Sequence, residues 1–242
     1  MADKELPLAI VTGSAQRLGR TFALALARQG FAIQLHYHAS AKEALATAAE
    51  VRALGVPVYP IRADLTEPEQ IQSIFTALDS LPHRLQVLIN SAAIMPRGEV
   101  RTMSASNWDT TLALNLRAPF LLAQQAAARM DAGGLIVNVT DVGAGKAWSA
   151  FPAYTVSKAA LESLTRVLAK SFAPHIRVNA IAPGLVLRTE SVPQADWDHL
   201  IRRLPLQHAA TEQALAGALE FLLKNEFITG QTIVVDSGYS LI

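Results

Sequence analysis

The sequence predicts an α/β fold, a doubly wound parallel sheet of seven strands in one domain spanning residues 1–242. Two observations carry this. Seven short apolar runs alternate along the chain with longer stretches of helical periodicity. The runs are continuous rather than alternating in polarity, as expected of strands covered on both faces. Size and composition agree: 242 residues, 51% hydrophobic and 17% charged, suit one large domain with a substantial core.

The elements follow in order. Leu8–Thr12 is the first strand, with a helix after it to about Gln29. Phe31–His36 precedes a helix over Ala41–Leu54, and Val56–Arg62 precedes one over Glu67–Leu78. Leu85–Asn90 leads to a long helix, Trp108–Met130. Leu135–Thr140 leads to a helix over Phe151–Phe172, and Val178–Ile181 to a loop and the helix Glu212–Leu223. Thr232–Val235 closes the sheet. Ligands of such sheets sit beyond the carboxyl ends of the strands, where most of the polar motifs fall.

The net charge of +1 gives no field for nucleic acid or an acidic membrane. The chain has no cysteine, which excludes disulfides and thiolate metal sites. No apolar run approaches about 18 residues. The opening segment Met1–Pro7 is polar and mixed in charge, and reads as neither a signal nor a transit peptide, so a cytoplasmic protein is expected.

Two stretches carry chemistry. In Tyr154-Thr155-Val156-Ser157-Lys158 the phenol and the ammonium are four positions apart, on one helix face. A lysine beside a tyrosine favours the phenolate, so Lys158 is expected to lower the Tyr154 pKa and suit it to proton transfer. Alone, such a pair is an ordinary surface feature. The second stretch, Thr12-Gly13-Ser14-Ala15-Gln16-Arg17-Leu18-Gly19, leaves the first strand and opens a helix. Glycines there let the backbone turn tightly and approach a pyrophosphate at the helix N-terminus.

This turn resembles the T-G-x-x-x-G-x-G turn of the short-chain dehydrogenase/reductase family, with Arg17 in place of the middle glycine. The resemblance continues over nearly the whole chain. Ala63-Asp64-Leu65 looks like the family's adenine-contacting segment, and Asn90-Ser91-Ala92-Ala93 like its N-N-A-G. Asn115 matches the helix asparagine, Tyr154 and Lys158 the Y-x-x-x-K, Pro183-Gly184 the P-G, and Asp236-Ser237-Gly238 the D-G-G. The resemblance implies a Rossmann-type sheet and a catalytic set of Asn115, Tyr154 and Lys158. It also implies a nicotinamide cofactor held by Gly13, Ser14, Arg17, Leu18, Gly19, Asp64, Leu65, Asn90, Ser91, Ala92, Tyr154, Lys158, Pro183, Gly184 and Val186.

An acidic residue after the second strand binds the ribose 2′-hydroxyl of NAD. Here that place reads His36-Tyr37-His38-Ala39-Ser40-Ala41-Lys42, without a carboxylate. Histidines, a serine and a helix N-terminus accommodate a 2′-phosphate instead, so NADPH is the expected cofactor, with His36, Tyr37, His38 and Ser40 at the phosphate. Ser40 is also the expected cap of the second helix.

The family places a serine thirteen residues before its tyrosine, to hold the substrate oxygen. That position is Asp141, and Thr140 next to it points the other way if the strand continues. An ionised carboxylate only accepts hydrogen bonds. It would repel a developing alkoxide, but it suits a substrate presenting N–H groups or a ring nitrogen awaiting a proton. A plain loop cap is the alternative role. The aspartate resembles one branch of the family, the pteridine reductases and related dihydromonapterin (dihydrofolate) reductases. Arg17-Leu18-Gly19-Arg20, Leu35-His36-Tyr37-His38, Arg203-Leu204-Pro205-Leu206 and Asp236-Ser237-Gly238-Tyr239-Ser240-Leu241 are similar to it too. The branch implies substrate contacts from Arg17, Asp141 and Tyr154, and adds Asp141 to the catalytic set, where with Tyr154 it supports proton delivery.

Two positions depart from the branch. Met95 stands where it carries an aromatic residue stacking on the pterin, and Ala93 replaces a serine. A thioether covers a flat ring without the geometry of aromatic stacking. Trp148 and Phe151 could form an aromatic wall instead, or belong to the core. Arg188–His199, polar and irregular, is expected to cover the substrate and order on binding. His83, His175, His199 and His208 show no metal-ligand spacing. Ala160, Leu164, Val167 and Ser171 form a stripe away from Tyr154, against the core or, as in relatives, against a second subunit; the resemblance implies a homotetramer.

The leading expectation is an NADPH-dependent reductase of a pterin- or folate-like C=N bond. A carbonyl reductase, such as a 3-oxoacyl-acyl-carrier-protein reductase, is the second class, and a dinucleotide-binding regulator without turnover the third.

Overall fold

A computed structural model describes residues 5–189 and 192–242. Its sheet has seven parallel strands in the order β3-β2-β1-β4-β5-β6-β7. These are β1 Pro7–Val11, β2 Ala32–Tyr37, β3 Val58–Arg62, β4 Arg84–Asn90, β5 Gly134–Val139, β6 Ile176–Pro183 and β7 Thr232–Val235. The order reverses between β1 and β4, which opens the crevice where such sheets bind ligands. The inner strands are buried on both faces. The edges are not: β3 and β7 carry exposed or half-buried positions, and Pro60 is tolerated in β3 because an edge strand has a partner on one side only.

Helices cover both faces. On one side α1 (Arg17–Arg28), α2 (Ala41–Ala53) and α8 (Glu212–Lys224) enclose Phe22, Leu26, Ile33, Leu35, Val51 and Leu219. On the other, α3 (Pro68–Leu78), α5 (Ala118–Ala127) and α6 (Pro152–Phe172) enclose Ile10, Ile71, Phe75, Leu88, Leu122 and Leu168. The long fourth helix is interrupted. Ala105–Leu112 (α4) passes through a π-helical turn at Ala113–Arg117 before α5 begins. Pro119 has no N–H to give to the Asn115 carbonyl, so the ordinary i→i−4 ladder breaks there and the wider turn takes it up.

One segment differs from expectation. The stretch after β6 is not irregular throughout, since Gln194–Arg203 forms a helix, α7, with no buried residue. Glu190 and Ser191 of the expected cover lie outside the described residues, as does the start of the opening segment, Met1–Lys4. In the α6 stripe Ala160 and Leu164 are half-buried, whereas Val167 and Ser171 are exposed. No helix among the described residues is long and apolar enough to cross a membrane.

Candidate active site

The loop after β5 and, through Asn115, the segment after β4 meet the first turn of α6. Pro152 opens that helix, its fixed φ suited to a first turn, and sets Tyr154 and Lys158 on the inward face. Both are buried, Lys158 to 3% exposure. The Tyr154 hydroxyl donates to Asp141 Oδ2 at 2.7 Å. The other carboxylate oxygen, Oδ1, accepts the Gly143 N–H at 2.7 Å and caps the short 3₁₀ turn Val142–Gly145. Asp141 is therefore both a loop cap and a partner of the tyrosine, one oxygen to each. Thr140 points away, donating to the Ile181 carbonyl at 3.3 Å.

The relation of lysine to tyrosine is corrected. Lys158 Nζ lies 5.7 Å from the Tyr154 ring centroid and donates to the Val139 carbonyl at 2.7 Å, not to the phenol. Burial, then the Asp141 charge and the hydrogen bond to it, push the Tyr154 pKa up rather than down. Burial pulls Lys158 down to about 8, against the attraction of Asp141. Burial also raises Asp141, opposed by Gly143, Tyr154 and Lys158. The phenol thus keeps its proton and shares it with a carboxyl group that is itself easier to protonate than usual.

Asn115 is fully buried at the π-helical turn. Its Oδ1 accepts from Ile94 N at 3.0 Å, and its Nδ2 donates to the Ile94 carbonyl at 2.9 Å and to Ser157 Oγ at 3.0 Å. Ser157 Oγ in turn donates to the Tyr154 carbonyl at 2.7 Å. The side chain ties the segment after β4 to the first turn of α6 and positions the tyrosine without touching its hydroxyl.

The glycine turn is shaped by close approach. A Cβ on Gly19 would sit 2.2 Å from the Gly13 carbonyl oxygen, and one on Gly13 2.9 Å from Ala92 Cα. Gly13 has φ +64° and Arg17 φ +52°, so an arginine holds a left-handed conformation that glycine adopts without strain. Its guanidinium reaches across to the Leu187 carbonyl at 2.9 Å. Leu18 packs on the α1-side core, and no side chain caps α1 at Gln16, which leaves its N-terminal N–H groups facing the crevice. The Ser14 hydroxyl is turned inward to the Val11 carbonyl at 2.7 Å. The Ser91 and Ala92 N–H groups both point at Thr12 Oγ1, at 2.9 and 3.1 Å. Asn90 gives Nδ2 to Asn138 at 2.8 Å, and its buried Oδ1 has no partner.

At the end of β2 the expectation for His36 is corrected. Its ring is 2% exposed, accepts the Gly13 N–H on Nδ1 at 3.1 Å and meets the Ala63 carbonyl with Nε2 at 3.0 Å. Burial pulls its pKa down to about 4, so it offers a phosphate neither a free nitrogen nor a charge. Tyr37 is half-buried against the core. His38 is open, its side chain 58% exposed and its Nε2 3.8 Å from Asp64 Oδ2. Ser40 stands at the N-cap of α2 but makes no capping bond, contrary to expectation, and keeps its hydroxyl available. Asp64 is committed to Thr66, accepting from its N–H at 2.9 Å and its hydroxyl at 2.7 Å, while Leu65 is core. Beyond β6, Pro183 and Gly184 run so close to Asp236 that a Cβ on Gly184 would lie 2.6 Å from the Asp236 Cβ; Val186 is half-buried.

On the substrate side Met95 is 42% exposed. The Trp148 ring lies on Gly143, where an added Cβ would be 2.5 Å from it, and so flanks Asp141. Phe151 is half-buried, with the Arg97 guanidinium 6.0 Å from its ring centroid. Tyr239 was not singled out from the sequence. Its ring tilts against Trp148 at 6.1 Å, the Lys146 ammonium is 4.6 Å from its centroid, and its pKa is raised by burial and then by the Asp141 charge. An aromatic in the last motif was the only available signal. His83 has a structural role: it is buried, accepting from Leu6 N at 3.3 Å and bonded to Tyr59 Oη at 3.0 Å. No group of three metal-ligating side chains occurs among the described residues.

The chain is similar to known proteins over nearly its whole length. The model of a family described as enoyl-(acyl carrier protein) reductase matches residues 13–240. A 1-cyclohexenylcarbonyl-CoA reductase of Streptomyces collinus is 34% identical, over 97% of this chain and 87% of its own. The 3-oxoacyl-[acyl-carrier-protein] reductase FabG of Staphylococcus aureus is 30% identical, over 95% of this chain and 96% of its own. Among solved structures, the FolM alternative dihydrofolate reductase 1 of Brucella canis, complexed with NADP, superposes with a TM-score of 0.92. It is 32% identical, over 98% of this chain and 94% of its own. These likenesses run through the glycine turn, the tyrosine helix and the closing strand alike, and the chain belongs to the short-chain dehydrogenase/reductase family.

Proposed function

We propose that this oxidoreductase uses NADPH to reduce a pterin- or folate-like ring, taking a dihydropteridine to the tetrahydropteridine. The observation that carries the reading is the Asp141 carboxylate, fixed by Gly143 and joined to the Tyr154 hydroxyl. An acceptor there matches the amino and ring N–H groups of a pterin and opposes an alkoxide. The resemblance to FolM reductases supports it.

The residues present fit the cofactor. The uncapped start of α1 offers N–H groups to a pyrophosphate, and the unpartnered Asn90 Oδ1 offers an acceptor at the end of β4. His38 and Ser40, with no carboxylate at the end of β2, suit a 2′-phosphate. When bound, the cofactor supplies the hydride. Tyr154 delivers the proton to the ring nitrogen that gains charge, and Asp141 accepts hydrogen bonds from the substrate's N–H groups and holds the Tyr154 hydroxyl in place for that transfer. Lys158 holds the nicotinamide ribose, Arg17 lies between pyrophosphate and substrate, and Asn115 keeps the first turn of α6 in place. Met95, Trp148 and Phe151 flank the ring. By family resemblance the enzyme is a cytoplasmic homotetramer.

A second reading is an NADPH-dependent carbonyl reductase such as a 3-oxoacyl-acyl-carrier-protein reductase, favoured by the FabG relatives and by Met95 in place of an aromatic. A regulator without turnover has less support, because Asn115, Tyr154 and Lys158 are all kept. One assay panel separates the three: NADPH consumption with dihydrobiopterin, dihydrofolate and an acetoacetyl thioester. Turnover of the pterins above the thioester is expected. Turnover of the thioester alone would favour the second reading, and no turnover the third.

A further inference from the structure

We infer that His36 is a positioning residue of the cofactor site, a neutral clamp that holds the pyrophosphate turn against the adenine-side segment. The inference rests on the NADPH reading above. Three strand ends meet at this residue. A backbone N–H can only donate, so the Gly13 N–H fixes Nδ1 as the acceptor and leaves the proton on Nε2. That proton is then directed at the Ala63 carbonyl, at the head of the Ala63-Asp64-Leu65 segment. The His36 carbonyl also accepts the Ser14 N–H at 2.9 Å. One residue of β2 thereby fixes both the turn after β1 and the loop after β3.

The turn depends on this support. Gly13 stands at φ +64° where a Cβ would lie 2.9 Å from Ala92 Cα, and its N–H is directed at the histidine ring. Without an acceptor the half-buried N–H loses its partner, and the turn relaxes away from the geometry that aims the α1 N-terminus at a phosphate. The two ring nitrogens therefore have separable tasks, Nδ1 for the pyrophosphate turn and Nε2 for the adenine side.

Two near-isosteric variants separate them. His36→Asn keeps an acceptor near the Nδ1 position and loses the Ala63 bond. His36→Gln reaches Ala63 with its amide and leaves Gly13 without an acceptor. The measurement is the NADPH dissociation constant by fluorescence titration, with a thermal melt of each variant. Each variant loses one hydrogen bond, so the melting temperatures should fall by similar amounts. The dissociation constant should rise about tenfold in His36→Gln and about threefold or less in His36→Asn. Equal weakening in both, or values within about twofold of the unmodified protein while the variants are folded, would overturn the clamp. If the unmodified protein binds no NADPH, the cofactor reading fails first and the inference falls with it.

Discussion

Replacing Tyr154 with phenylalanine removes one oxygen and leaves a buried ring in place. The lost hydroxyl is the donor to Asp141 Oδ2 at 2.7 Å, a hydrogen bond to a charged acceptor. Such bonds contribute about 1.5–3 kcal/mol, but the phenol no longer has to be desolvated either, so the net loss of stability should be about 1 kcal/mol. For a chain of this size that lowers the melting temperature by about 2–4 °C. The kinetic effect is of another order. A positioned proton donor contributes roughly a hundredfold to ten-thousandfold, or about 3–5.5 kcal/mol of barrier. Turnover should therefore fall by about a hundredfold or more while the fold and the NADPH affinity change little. The pH profile gives an independent check. Tyr154 is one of the groups holding the Asp141 pKa down against burial, so without it the carboxyl group protonates at a higher pH. The acid limb of the profile should move upward. The assay is NADPH oxidation at saturating cofactor across pH, with a melt of each protein. Turnover within about tenfold of the unmodified enzyme would remove the tyrosine from the chemistry.

Further expectations concern the cofactor and the glycine turn. His38→Asp puts a carboxylate on the open side of β2 and should narrow the preference for NADPH over NADH by repelling the 2′-phosphate; equal or better NADH binding by the unmodified protein would refute the assignment. Arg17→Gly relieves the left-handed strain at φ +52°, so stability should hold or rise by about 0.5–1 kcal/mol. The same change removes the tie to Leu187 and should raise the substrate KM, and a large loss of stability in a denaturant melt would show that the tie matters more than the strain.

The sheet was legible because buried parallel strands must be apolar on both faces, and the alternation with helices leaves few other arrangements. It blurred at the edges, where β3 and β7 carry exposed positions, and failed at α7, whose short apolar stripe of Trp197, Leu200 and Ile201 is only half-buried and is set among polar residues. The residues of the site were legible as motifs, but their partners were not. Spacing put Lys158 on the side of Tyr154, yet only the packing shows the ammonium bonded to Val139 and the phenol to Asp141. The sequence around His36 shows a histidine beside a phosphate position. That its two nitrogens are occupied follows from the turn after β1 and the loop after β3 folding over it. Tyr239 reaches Trp148 from the far end of the chain, a contact that no local pattern announces.

The central claim is that Asp141 selects the substrate, and Asp141→Ser tests it most directly. The change restores the family's common serine and replaces a charged acceptor with a hydroxyl that both donates and accepts. Losing charge-assisted hydrogen bonds of about 1.5–3 kcal/mol should lower kcat/KM for a dihydropterin by one to two powers of ten. The same variant should reduce a simple ketone or 3-oxoacyl thioester better, because the repulsion is gone and a donor has taken its place. Opposite signs for the two substrates in one mutant are the predicted result. An unmodified enzyme that reduces the ketone well and ignores every pterin, and that slows on the ketone when Asp141 becomes serine, would contradict it.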